Sequence, residues 1–229
     1  MADQNLRQST AAGSMAGIGG ASALSTNAVL RNTYMLLGLT IGFSALVAYA
    51  AMALGAPRLG FLPTIIGFFG LLFLVNRTAN SAWGLLSVFL FTGFLGFTAG
   101  PVISLYLSLP QGSSIVASAL GTASFAFVGL SAFAVATKKD FSFLSGFITV
   151  GFFVLMGAVL LSWLFELSML HTAISAGFVL FSSAVILWQT SAIVNGGERN
   201  YISATVTLYV SFYNLFMSLL QIFGVMGDD

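Results

Sequence analysis

The sequence has 229 residues, of which 58% are hydrophobic and 6% are charged, against roughly 25% charged in a soluble globular domain. That polar complement is too small to cover a particle in water, so the solvent for most of this chain is lipid. A net charge of +1 gives no electrostatic footprint for nucleic acid, and the absence of cysteine removes disulfides, thiolate metal sites and a cysteine nucleophile.

The first stretch, residues 1–27, is rich in Ala, Gly, Ser and Thr and has few large apolar residues. It has little to bury and reads as a disordered cytoplasmic tail. It contains no continuous apolar run of the kind a cleaved secretory signal needs. Residues 28–229 read as a single transmembrane domain, in which long apolar runs alternate with short polar breaks.

A span needs about 20 residues, within a working range of roughly 17–25. The runs that qualify are Asn32–Leu54, Leu59–Val75, Ala82–Leu107, Ile115–Ala136, Phe141–Phe165, Thr172–Val194 and Tyr201–Phe223. The fold class is therefore an all-α membrane protein of about seven transmembrane helices. Gly100-Pro101 in the third run predicts a kink or an early end, because proline removes a backbone donor and clashes with the preceding turn. No internal repeat stands out.

Basic residues set the orientation. With a cytoplasmic N-terminus and seven crossings, Arg7, Arg31, Arg77, Lys138, Lys139 and Arg199 fall on the cytoplasmic side and Arg58 falls outside. The positive-inside rule then predicts N-in, C-out, with Asp228 and Asp229 on the far side.

Every Asp, Glu, Lys and Arg sits at a span end, in a loop or in a tail, and the lone histidine, His171, sits at the start of the sixth span. Charges inside a membrane usually mark ion pathways or proton relays, so interior chemistry here rests on neutral groups. In the last span Ser203, Thr207, Ser211, Asn214, Ser218 and Gln221 recur every three or four residues, on one helical face. Tyr209, Tyr213, Phe216 and Leu220 lie on the other. Ser175, Ser182 and Gln189, each seven apart, form a parallel stripe on the sixth span. Such groups facing lipid would go unsatisfied, so both stripes should point inward, with the last helix central.

Two readings compete for the stripes. One is hydrogen bonding between helices, at roughly 0.6 kcal/mol per pair. The other is a hydrated path or ligand site, and the missing charge favours the first. Gly38 with Gly42, and Gly96 with Gly100, have the spacing of close helix packing. Enzyme signals are weak: no carboxylate pair lies within a span, and no GxSxG elbow accompanies His171. No catalytic group, cofactor or metal site is expected.

Three segments read together resemble the Bax inhibitor-1 family: FTGFLGFTAGPVISLY from Phe91, TKKDFSFLSG from Thr137, and NGGERNYISATVTLYVSFYNLFMSLLQIFG from Asn195. VLRNTYMLL from Val29 is similar, more narrowly, to its bacterial YccA-type branch. The resemblance implies a seven-helix fold with the last helix enclosed. Many members carry an acidic pair on the last two helices, thought to act as a pH-responsive latch on a calcium leak. The matching positions here are Gln189, before Thr190, and Ser211, after Leu208-Tyr209-Val210. A shared-proton latch needs two groups whose charges repel, which Gln and Ser cannot supply. A neutral clasp between Gln189 and Ser211 is the hypothesis that remains at these positions.

The branch resemblance implies association with the membrane-anchored ATP-dependent protease FtsH and its HflK/HflC partners, in the bacterial inner membrane. An unfoldase needs a loose end to grip, and residues 1–27 offer one. The expected function is thus non-enzymatic modulation of such a protease. The alternative is a calcium leak or small-solute conduit of the Bax inhibitor-1 type, without the acidic-pair latch.

Overall fold

A computed structural model describes residues 2–167 and 170–227, with the side chains of α1 described from Thr26 onward. The described residues form seven helices and no strand: α1 (Ala2–Ala53), α2 (Phe61–Thr78), α3 (Gly84–Leu107), α4 (Gly112–Thr137), α5 (Leu144–Leu164), α6 (Leu170–Val194) and α7 (Tyr201–Met226). Each is long and apolar enough to cross a membrane, the first over Thr26–Ala53. Almost all of the tail expected over residues 1–27 lies outside the described side chains, as do Asp228 and Asp229.

The helix boundaries have local causes. α1 stops at Gly55 (φ 61°) and α6 at Gly196 (φ 76°), left-handed positions that glycine adopts without strain. Lys138 closes α4 at φ 51°, its backbone N–H donating to the Ala134 carbonyl. At the start of α7 the Asn200 side chain accepts from the backbone N–H groups of Ile202 and Ser203, capping donors that would otherwise be orphaned. The early end predicted at Pro101 does not occur, and α3 continues to Leu107. Beside the proline, the bare backbone of Gly100 lies against Ala48 and Ala51 of α1, so this stretch of α3 is held by its neighbour.

Packing places α7 inside. It touches α1, α3, α4 and α6, and most of its circumference is buried, including Leu208, Tyr209, Ser211, Leu215, Ser218 and Leu220, while the face with Ser203, Thr207, Asn214 and Gln221 is half-buried. α2 packs on α3 and α5 on α6, at the periphery. Each of these outer helices buries one residue, Val75 and Ser162 respectively. Helix pairs differ in how closely they approach. A Cβ at Gly96 would overlap the Ser44 carbonyl, and one at Gly100 would stand 2.6 Å from that of Ala48, so small residues bring α1 and α3 together. Gly38 and Gly42 have the same spacing but meet nothing within 4 Å. Their face of α1 is open.

The two ends of the bundle are unlike. At one end the last turn of α6 and the α6–α7 loop tie the other loops down. Asn200 donates to the Ala79 carbonyl (3.1 Å) and to the Asn80 side chain (2.8 Å) in the α2–α3 loop. Ser191 donates to the Lys139 carbonyl (2.9 Å) and accepts from the Phe141 backbone N–H (3.1 Å) in the α4–α5 loop. Arg77, Lys138, Lys139 and Arg199 flank these loops and Arg31 lies near the start of the first span, so this is the basic end. The opposite end carries Arg58 and two cavities, of about 420 and 380 Å³.

Candidate functional site

The polar stripe of α7 divides at mid-helix. In its first half the hydroxyls turn back on their own helix: Thr207 donates to the Ser203 carbonyl (3.0 Å) and Ser211 to that of Thr207 (2.8 Å). Those groups are satisfied locally and leave little to offer a ligand. In the second half Asn214, Ser218 and Gln221 line a cavity of about 420 Å³ between α7 and helices α2, α3, α5 and α6. Ser175 of α6 lines it too, donating a 2.7 Å hydrogen bond to the Gln221 side-chain oxygen. Here the two stripes meet across helices, as their spacing predicts.

Farther toward the basic end the stripes do not engage. Ser182 and Gln189 are 1% and 2% exposed, and neither the Ser182 hydroxyl nor the Gln189 amide nitrogen has a hydrogen-bond partner among the described residues. The clasp between Gln189 and Ser211 is not formed, since the Ser211 hydroxyl is directed to the Thr207 carbonyl instead. Neighbouring Thr190 shares a 3.1 Å hydrogen bond with Tyr34 of α1. Gln189 and Ser211 are thus buried, neutral and unlinked.

The cavity is also lined by residues the stripe analysis did not single out, including Tyr106 of α3, Ser162 and Trp163 of α5, and His171 of α6. Tyr106 also borders a second space, of about 380 Å³, with Arg58, Thr98 and Tyr213. It therefore stands as a partition between the main cavity and the single basic residue of this end. His171, at the start of the sixth span, is exposed on the first turn of α6 and stands in the lining. No group of three or more His, Asp or Glu residues able to hold a metal ion occurs among the described residues.

The tyrosines of α7, assigned from spacing to the side away from the stripe, turn out to bridge helices. The Tyr209 hydroxyl shares a hydrogen bond with Ser44 of α1 and donates to the Thr92 carbonyl of α3 (3.3 Å). That of Tyr213 pairs with Thr98 of α3 (3.2 Å). Thr205 reaches the Thr33 carbonyl of α1 (3.2 Å). A phenol in mid-span needs a partner, so these tyrosines carried a signal of burial that spacing alone passes over.

A central helix carrying a polar stripe, packed among apolar helices whose loops are tied together at the basic end, with an open cavity partly lined by polar side chains toward the other end, defines a multi-pass membrane protein. The chain belongs to the family described as inhibitor of apoptosis-promoting Bax1, whose family model matches residues 26–228. It is 48% identical over 208 residues, 91% of this chain and 94% of the relative, to the modulator of FtsH protease YccA of Escherichia coli. An uncharacterized protein of Pseudomonas aeruginosa is 60% identical over 201 residues, covering 88% of this chain and 90% of its own length. An uncharacterized membrane protein of Vibrio cholerae is 42% identical over 207 residues, 90% of this chain and 93% of the relative.

Proposed function

We propose that this protein is a non-enzymatic modulator of a membrane-anchored, ATP-dependent protease of the FtsH type in the bacterial inner membrane. The observation that carries the proposal is the 48% identity, over nearly the whole of both chains, to a protein named for that activity. A second Escherichia coli relative, equally similar, is named inner membrane protein YccA. The basic end supports the same reading. By the positive-inside rule it faces the cytoplasm, and so do the N-terminal residues 1–27. Immediately behind them the loops are cross-tied by Asn200 and Ser191. A protease that seized the tail would pull against a stitched bundle, resist extraction and remain engaged. HflK/HflC-type proteins would join such a complex.

The test is co-purification from native membranes followed by deletion of residues 1–27. The full chain should carry the protease with it and slow degradation of a membrane substrate. The truncated chain should insert but lose that effect. If no protease accompanies the full chain, the modulator reading fails. If the truncated chain modulates equally well, the tail is not the handle.

The 420 Å³ cavity favours a second reading, a conduit for calcium or a small solute. Between the cavity and the basic end stand Ser182 and Gln189 with unpartnered polar groups, where a path would have to continue. Calcium flux in liposomes that Gln189→Ala alters would support it, and no flux above empty liposomes would remove it. An enzymatic role would need His171, so full activity in His171→Gln would dispose of that role.

A further inference from the structure

α1 and α4 both pack on α6 and α7 rather than on each other, and the space between them at the basic end is a cleft of about 490 Å³. Its inner end is aromatic: Tyr34 and Phe127 sit with ring centroids 6.4 Å apart, and Phe127 is braced edge-on by Phe212 of α7 (5.7 Å). Its outer end holds Asn27 and Arg31 of α1 opposite Val135 of α4. Arg31 is exposed, and no carboxylate lies among the lining residues.

Between the two ends lies Ser131, which is 5% exposed and whose hydroxyl has no hydrogen-bond partner among the described residues. Thr137, farther along α4, satisfies its hydroxyl on the Phe133 carbonyl of the preceding turn (2.8 Å), whereas the buried hydroxyl of Thr33 in α1 is without a partner among the described residues, like that of Ser131. Ser131 makes no such bond to its preceding turn. The cleft thus combines a cation at interfacial depth, a buried donor about one turn deeper, and an apolar floor.

We propose that this cleft binds an anionic phospholipid of the leaflet at the basic end. The phosphate sits at Arg31 and Asn27, an acyl-ester carbonyl accepts from the Ser131 hydroxyl, and the chain lies along Phe127 and Val128. The order of these groups in depth is that of a glycerophospholipid, and a basic cleft between helices on this side of a membrane suits an anionic headgroup. A free phosphate would use Arg31 but would have no use for Ser131 or the apolar floor.

Native mass spectrometry of the detergent-purified full chain, titrated with phosphatidylglycerol or phosphatidylethanolamine, tests this. The anionic lipid should be retained in preference. Arg31→Gln should weaken its binding about fivefold, the effect of removing one basic residue near a membrane surface. Ser131→Ala should weaken it too, while Arg77→Gln, at the same end but outside the cleft, should not. Inorganic phosphate should fail to displace the lipid. Equal retention of both lipids by the unaltered chain would overturn the proposal without recourse to any variant. So would equal losses in Arg31→Gln and Arg77→Gln, or displacement by phosphate.

Discussion

Gly96 of α3 lies directly against the backbone of Ser44 in α1: a Cβ at position 96 would overlap the Ser44 carbonyl oxygen and crowd its hydroxyl. That hydroxyl in turn bonds the Tyr209 phenol. One close approach therefore sets the spacing of α1 and α3 and positions the partner of the central helix.

Gly96→Ala should destabilise the bundle by about 2 kcal/mol, the range for overpacking against atoms that cannot yield. Gly38→Ala, on the open face of the same α1, should change stability by less than about 0.5 kcal/mol, as at ordinary surface sites. Thermal unfolding of the two variants in one detergent checks the contrast. Equal losses would mean that small-residue spacing alone matters, whichever face it occupies.

Tyr209→Phe keeps the ring and removes the hydroxyl that joins α7 to α1 and α3. The Ser44 hydroxyl, on a residue 8% exposed, loses its partner. The expected cost is about 1 kcal/mol, read from the unfolding midpoint in a denaturing detergent. Ser44→Ala combined with Tyr209→Phe should cost less than the sum of the two single changes, because the pair shares one interaction.

Asn200→Ala removes both a helix cap and the tie to the α2–α3 loop. Cap loss alone costs about 1 kcal/mol. Hydrogen exchange should rise at the first turn of α7 and around Ala79–Trp83, while the far end of α7 stays protected. Acceleration spread evenly over the chain would show global unfolding instead, and the loops would not be a separate seal.

Gln189→Leu replaces a buried amide that has no partner for its nitrogen with an apolar group of similar size. An unsatisfied buried donor costs about 1–3 kcal/mol, so the variant should be as stable as the native chain or more stable. A marked loss of stability would show that the amide is satisfied in the membrane, and would strengthen the conduit reading.

The spans were legible because the constraint behind them is local. A hydrocarbon slab imposes length and apolarity on each segment independently, and the seven runs read from hydropathy correspond one to one with α1–α7. The central position of α7 was legible from its row of hydroxyls and amides, yet the row itself, with Ser203, Thr207, Asn214 and Gln221 half-buried, is less enclosed than the side carrying Tyr209 and Leu220. Which groups meet was another matter. Gly96 and Gly38 stand in the same four-residue pattern, yet one touches a backbone and the other nothing. Ser211 and Gln189 were expected to form a clasp, yet Ser211 bonds within its own helix. Tyr209, placed by spacing on the side away from the stripe, became the crosspiece of three helices. Contacts between spans depend on how each helix is rotated and tilted against residues more than a hundred positions away. Only the packed bundle decides that.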